Sequence, residues 1–123
     1  IIRDDHMRRL ILGCSMYYKM LSRFREYYPD EQIYCMTFED LLTTPKLSLQ
    51  NTLQFLGIDS HVEQMLDQNG RIPQENESGA KGRGHVEKPK WGEKLKSKVL
   101  RRIQPDAEQM LAYMGKPLNF WRL

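Results

Sequence analysis

The sequence predicts an α/β fold: the C-terminal, mostly helical portion of a three-layer domain built on a parallel sheet. Three observations lead there. Residues 33–38 are one short run of β-preferring side chains, apolar on both parities, as in a core strand covered by helices on each face. Amphipathic helical segments precede and follow it. A lone strand cannot satisfy its own backbone N–H and C=O groups, so its partner strands are expected upstream of this sequence.

Asp4 or Asp5 is the expected N-cap of a long first helix, in which Met7, Leu10, Ile11, Cys14, Tyr17, Leu21, Phe24 and Tyr28 recur at spacings of three and four. Its outer face carries Arg8, Arg9, Lys19, Arg23 and Arg25, and Pro29 ends it. His6, in the first turn, has no partner nearby in sequence. Glu39 and Asp40 follow the strand and read as capping and turn residues, because no His or metal ligand stands at a spacing that would recruit them for acid–base work. Thr44 and Pro45 start a helix with Leu49, Leu53 and Leu56 on one stripe, and Gly57 stops it. Ser60-His61-Val62-Glu63 reads as a capping box for a short helix that turns Val62, Met65 and Leu66 inward and stops at Gly70. After Trp91 and Gly92 a helix runs through Leu95, Val99, Leu100 and Ile103. It is expected to break at Gln104 and Pro105, then restart at Asp106 to bury Met110, Leu111 and Met114 before Gly115. An aromatic tail with Phe120 and Trp121 closes the chain.

At 123 residues, 40% hydrophobic and 28% charged, the chain has the composition of a single globular domain that buries roughly two thirds of its unfolded surface. No apolar run approaches the ~20 residues of a membrane span, and Ile1 and Ile2 open the chain without an initiator Met or a signal-peptide pattern, as expected of a piece of a longer protein. Cys14 and Cys35 have neither CxxC spacing nor a nearby His pair, so they read as small core residues and no metal site is expected.

The charge is uneven. Lys81, Arg83, Lys88, Lys90, Lys94, Lys96, Lys98, Arg101 and Arg102 stand against Glu87 and Glu93, so residues 81–102 carry +7 and the remainder −4, for a net +3. Such a focused patch concentrates an anionic ligand locally. It begins in the run Ser78-Gly79-Ala80-Lys81-Gly82-Arg83-Gly84-His85, inside a long loop over residues 71–91. Connections are mostly ~4–6 residues long, and a loop of roughly twenty inside a domain has a function of its own or none of the domain's order. Glycines let the backbone approach a ligand and turn several N–H groups into one concavity, where a Lys point charge beside an Arg fork suits a phosphate.

The order of parts resembles the C-terminal half of the sulfotransferases that use 3′-phosphoadenosine 5′-phosphosulfate (PAPS). Tyr17 and Leu21 stand as in the family's Gly-x-Tyr-x-x-x-Leu, with Ser15 in place of the glycine. Tyr28-Pro29 with Gln32-Ile33 looks like the family's approach to a strand, Phe38-Glu39-Asp40-Leu41 like its "YEDL", and Phe55-Leu56-Gly57-Ile58 like its "FLGL/FLGI". Lys81-Gly82-Arg83 looks like the loop that binds the nucleotide's 3′-phosphate, and Phe120-Trp121 like the aromatic close of the fold.

The resemblance implies a P-loop-like α/β sulfotransferase fold, with a sulfuryl group transferred from PAPS to a hydroxyl or amine and adenosine 3′,5′-bisphosphate left behind. Lys81, Gly82, Arg83 and Gly84 would bind the cofactor, while the 5′-phosphosulfate loop and the catalytic base belong upstream, so no catalytic residue is assigned here. The implied partners are the nucleotide, a small-molecule or carbohydrate acceptor and the remainder of the domain, with no nucleic acid. The compartment stays open between the cytoplasm, which the absence of a cysteine just before Lys81 favours, and the Golgi lumen. The alternative is a small helical module that grips phosphates or nucleic acid through residues 81–102, and a third reading makes that patch only a solvated helix face. Nucleic acid is disfavoured because Tyr34, Phe38 and Phe55 fall in core patterns and do not alternate with the cations as a stacking platform would.

Overall fold

Two glycines fix the ends of the two longest helices. The computed structural model describes residues 11–73, 90 and 92–121, and in it Gly57 (φ 68°) and Gly115 (φ 67°) take the left-handed conformation that side-chain-bearing residues avoid. Gly57 N–H donates to Gln54 O and Ile58 N–H to Leu53 O, at 3.0 and 3.1 Å; Gly115 N–H donates to Ala112 O and Lys116 N–H to Leu111 O, at 3.1 and 2.9 Å. Both pairs are Schellman closures that satisfy otherwise orphaned carbonyls. The elements are α1 (Tyr17–Arg25), α2 (Phe38–Thr43), α3 (Pro45–Phe55) and α4 (Glu93–Tyr113), with 3₁₀ turns at Asp30–Gln32 and Glu63–Met65. They fall into two compact units, residues 1–32 with 89–123 and residues 33–88.

In the first unit α1 packs on α4. Leu21, Ala107, Met110 and Leu111 are buried there, Leu111 almost completely, and each such Leu contributes about 1.5–3 kcal/mol by leaving water. The expected break at Gln104 and Pro105 does not occur: α4 is one helix with Pro105 inside it. Val99, Leu100 and Ile103 before the proline are half-buried and share one helical phase with the buried Ala107, Met110 and Leu111 after it, so a break would part the two halves of that stripe. Burial outweighs the roughly 3 kcal/mol that an internal proline costs.

The expected single first helix is interrupted instead. Residues 11–14 are helical, Ser15 and Met16 are not, and α1 starts at Tyr17. The cause lies far away in sequence. The Asp106 carboxylate accepts Tyr18 N–H at 3.0 Å and Lys19 N–H at 2.9 Å, donors that an unbroken helix would give to Cys14 O and Ser15 O. Below the interruption Cys14 is exposed and Cys35 is half-buried, so neither is the core residue that its pattern suggests. The part of the first helix expected before Ile11 lies outside the described residues. At its other end α1 stops at Arg25, a turn earlier than Pro29 requires, and Tyr27 N–H and Tyr28 N–H both close onto Phe24 O.

In the second unit the expected core strand is absent. Residues 33–37 join no ladder and Phe38 already begins α2; no strand occurs among the described residues. A strand needs a neighbour's N–H and C=O groups, and the other apolar segments described here are helical. Burial nonetheless alternates: Ile33 and Cys35 are half-buried and Thr37 is buried, while Tyr34, Met36 and Phe38 are exposed. The segment has one covered face where the sequence suggests two. Tyr34 and Phe55, read from sequence as core residues, stack at 5.2 Å with both rings partly in solvent. Thr37 caps α2, its Oγ1 accepting Asp40 N–H at 3.0 Å, which puts Glu39 and Asp40 in a helical first turn. Pro45 opens α3 as expected. The predicted capping box does not form, since Glu63–Met65 is one 3₁₀ turn without a side-chain cap. Just before it, Asp59 Oδ1 accepts His61 N–H at 3.2 Å and also meets His61 Nδ1. Of its expected inward trio Val62 is fully buried, Leu66 is half-buried and Met65 is exposed.

Two outcomes follow for the first unit. Asp106→Ala strips both N–H groups of a buried charged partner and should cost about 2–3 kcal/mol in urea unfolding, with Asp106→Asn losing less. Asp30 is held below the ordinary carboxylate range, chiefly by its hydrogen bond from Arg25 and also by Tyr113. A carboxyl depressed on folding stabilises the protein above its unfolded value of about 4, and that contribution is lost as pH falls through the lower folded value. The Tm gap between the wild type and Asp30→Asn should therefore be widest near neutral pH and close in acid; a gap constant from pH 7 to pH 2 would rule the linkage out.

Candidate functional site

Around Asp67 the backbone is held by one carboxylate. Asp67 Oδ1 accepts Asn69 N–H and Arg71 N–H, both at 2.8 Å, and Asp67 N–H donates to Arg71 O at 2.7 Å. Gly70 (φ 70°) makes the turn possible. Arg71 emerges exposed from this knot. The expected cofactor residues Lys81, Gly82, Arg83 and Gly84 lie outside the described residues, as do His85 and Trp91.

α4 begins after Gly92, whose carbonyl accepts Leu95 N–H at 2.9 Å and Lys96 N–H at 3.0 Å. Of the nine cations between residues 81 and 102, six are described: Lys90, Lys94, Lys96, Lys98, Arg101 and Arg102, all exposed. At 3.6 residues per turn, Lys94, Lys98, Arg101 and Arg102 share one side of α4, opposite the stripe that packs on α1. Lys96 projects from another side. The structure thus brings four of the predicted cations together.

No catalytic constellation accompanies them among the described residues. Glu39 and Asp40 are helix-start acids, His61 is committed to Asp59, and no group of three His, Cys, Asp or Glu could hold a metal. An open cleft of about 330 Å³ lies between α4 and the C-terminal tail, lined in part by Gln104, Glu108, Leu118 and Trp121. It contains no cation, and its two α4 polar side chains bond to each other, Gln104 Nε2 donating to Glu108 Oε1 at 2.8 Å. The tail is anchored by rings: Tyr17 and Trp121 meet edge-on at 5.9 Å, and Lys116 Nζ sits 4.7 Å above Phe120.

Sequence reasoning missed two side-chain roles. Asp106, read as the start of a helix, caps a different one. The group Arg25, Asp30 and Tyr113 also went unseen: Arg25 Nε and Nη2 donate to the two oxygens of Asp30 at 2.7 and 2.9 Å, Tyr113 Oη donates to Asp30 at 3.2 Å, and the guanidinium lies 4.9 Å from the Tyr113 ring centroid. The only local hint was the spacing of Arg25 and Asp30 on either side of Pro29.

No curated protein and no solved structure matches the chain. A family profile described as Sulfotransferase domain matches residues 4–107. That stretch contains α1, both α-helices of the second unit, the glycine-rich run with its cations and the basic half of α4, and it ends one residue past the carboxylate that caps α1. With most of its length so matched, the chain belongs to the sulfotransferase domain family.

Proposed function

We propose that this chain forms part of a PAPS-dependent sulfotransferase and supplies the site for the 3′-phosphate of the nucleotide through Lys81, Gly82, Arg83 and Gly84. One observation carries the reading: Lys81-Gly82-Arg83 falls within the family match, after Phe38-Glu39-Asp40-Leu41 and Phe55-Leu56-Gly57-Ile58 in the family's order. In sulfuryl transfer an incoming hydroxyl or amine takes the group in line and negative charge gathers on the departing phosphate. The work of this chain is binding. Lys81 offers a point charge and Arg83 a planar fork, Gly82 permits close approach of the backbone, and Gly84 the turn outward.

The same reading gives residues 33–37 a sheet. In a three-layer domain the partner strands of that segment would come from the remainder of the domain. The acceptor is a hydroxyl or amine of a small molecule or a carbohydrate.

Calorimetric titration of the complete enzyme tests the loop. Arg83→Ala should weaken adenosine 3′,5′-bisphosphate by roughly 1.5–3 kcal/mol, the worth of a charge-assisted hydrogen bond, and leave AMP almost untouched. Arg83→Lys should recover part of the loss, because it keeps the charge without the fork. Equal weakening of the two nucleotides would remove the 3′-phosphate site.

A further inference from the structure

We propose that the cleft between α4 and the C-terminal tail is a binding site for a small primary amine, an ammonium group on a compact apolar body, with Glu108 as its counter-charge. α4 contributes Gln104, Ala107, Glu108 and Leu111, which at spacings of three and four form one stripe of the helix. Gly115, in its left-handed turn, sends the chain back, and Leu118, Asn119 and Trp121 of the tail complete the lining. The cleft is graded in depth. Ala107 and Leu111 are buried and make an apolar floor, Glu108 and Trp121 are half-buried, and Gln104, Leu118 and Asn119 are exposed at the rim.

The carboxylate selects a cation. α4 carries more cations than acids, yet no salt bridge among the described residues engages Glu108. Its partner is a neutral amide, Gln104 Nε2 donating to Oε1 at 2.8 Å. A half-buried carboxylate so placed gains most from a charged donor, whose hydrogen bond is about twice as strong as a neutral one. By giving its Nε2 to Glu108, Gln104 keeps its own Oε1 as an acceptor, and Asn119 carries a second amide oxygen. With Glu108 Oε2 these make three acceptors, the number that a primary ammonium can use with its three N–H donors. Trp121 gives the ligand's body an aromatic wall, and a cation beside an indole is favoured by the ring quadrupole. One carboxylate matches one charge, and about 330 Å³ lies at the small end of the ~300–1,000 Å³ range of small-molecule pockets, so a monoamine with a single ring suits the cleft better than a polyamine. None of the lining residues is assigned to the nucleotide, and the inference stands independently of the sulfotransferase reading.

Calorimetric titration of the full chain with three probes of similar shape tests the site: phenethylamine, its N-trimethylated analogue and the neutral 2-phenylethanol. Phenethylamine should bind about tenfold more tightly than the alcohol, and N-trimethylation, which keeps the charge but removes all three donors, should weaken it about fivefold. Glu108→Gln should lower phenethylamine affinity about tenfold and leave the alcohol unchanged, whereas Glu93→Gln, on the same helix but outside the cleft, should change either by less than about twofold. Equal binding of amine and alcohol to the unaltered protein would overturn the proposal whatever the variants do. Equal losses from Glu108→Gln and Glu93→Gln would reduce the effect to net charge and overturn it as well. An N-trimethylated analogue that binds as tightly as phenethylamine would overturn the assignment to a primary amine.

Discussion

The first unit depends on a carboxylate that caps a helix from another helix. The N–H groups of Tyr18 and Lys19 occupy the second and third positions of α1, where the backbone has no partner of its own. A Ser, Thr, Asp or Asn just before the helix would ordinarily serve them, but Met16 holds that place and its side chain makes no cap hydrogen bond. Asp106 does so from α4 and is itself only 7% exposed. The negative charge also meets the positive end of the α1 dipole. Leu21, Ala107, Met110 and Leu111 supply the burial, but apolar contact is non-directional and would tolerate small slides of one helix along the other. Two hydrogen bonds to adjacent N–H groups admit one register. The interruption of the first helix, the start of α1 and its placement on α4 are thus consequences of one side chain.

Local chemistry was legible in the sequence, and long-range partners were not. Gly57 and Gly115 as helix stops, and Pro45 as a helix start, depend on φ preferences that a residue carries with it. The break expected at Pro105 applied a local rule where packing on α1 prevailed. The capping box at Ser60 does not form, and the Glu63 carboxylate that would close it pairs instead with Lys46 Nζ at 2.9 Å. Periodicity found the apolar side of α1 correctly but could not say what covers it: Leu21 is buried while Tyr17 and Phe24, on the same stripe, are 54% and 56% exposed. The strand at residues 33–38 shows the same limit. Side-chain type reports a preference for extended backbone, and a ladder exists only where a second edge is present.

The candidate site was legible as composition, and the structure adds direction to it. Counting charges locates +7 between residues 81 and 102 without distinguishing a point site from a line. Helical phase makes that distinction for the described half: four cations form a row along α4 and Lys96 stands apart. The acids of the second unit gain a defined role as well. Thr37 caps α2 and Glu39 and Asp40 fill its first turn, where negative charge is favourable, so their place just after residues 33–37 serves helix initiation.

Two kinds of positive site have different physics. A glycine-flanked Lys and Arg pair acts at contact, where a bidentate fork discriminates a phosphate by geometry and salt has little purchase once water is displaced. A row of exposed cations on a helix acts through its field, which decays over about 8 Å at physiological ionic strength and rewards a ligand that stays near the row along its whole length. The first suits a nucleotide that must be held in one pose for in-line chemistry.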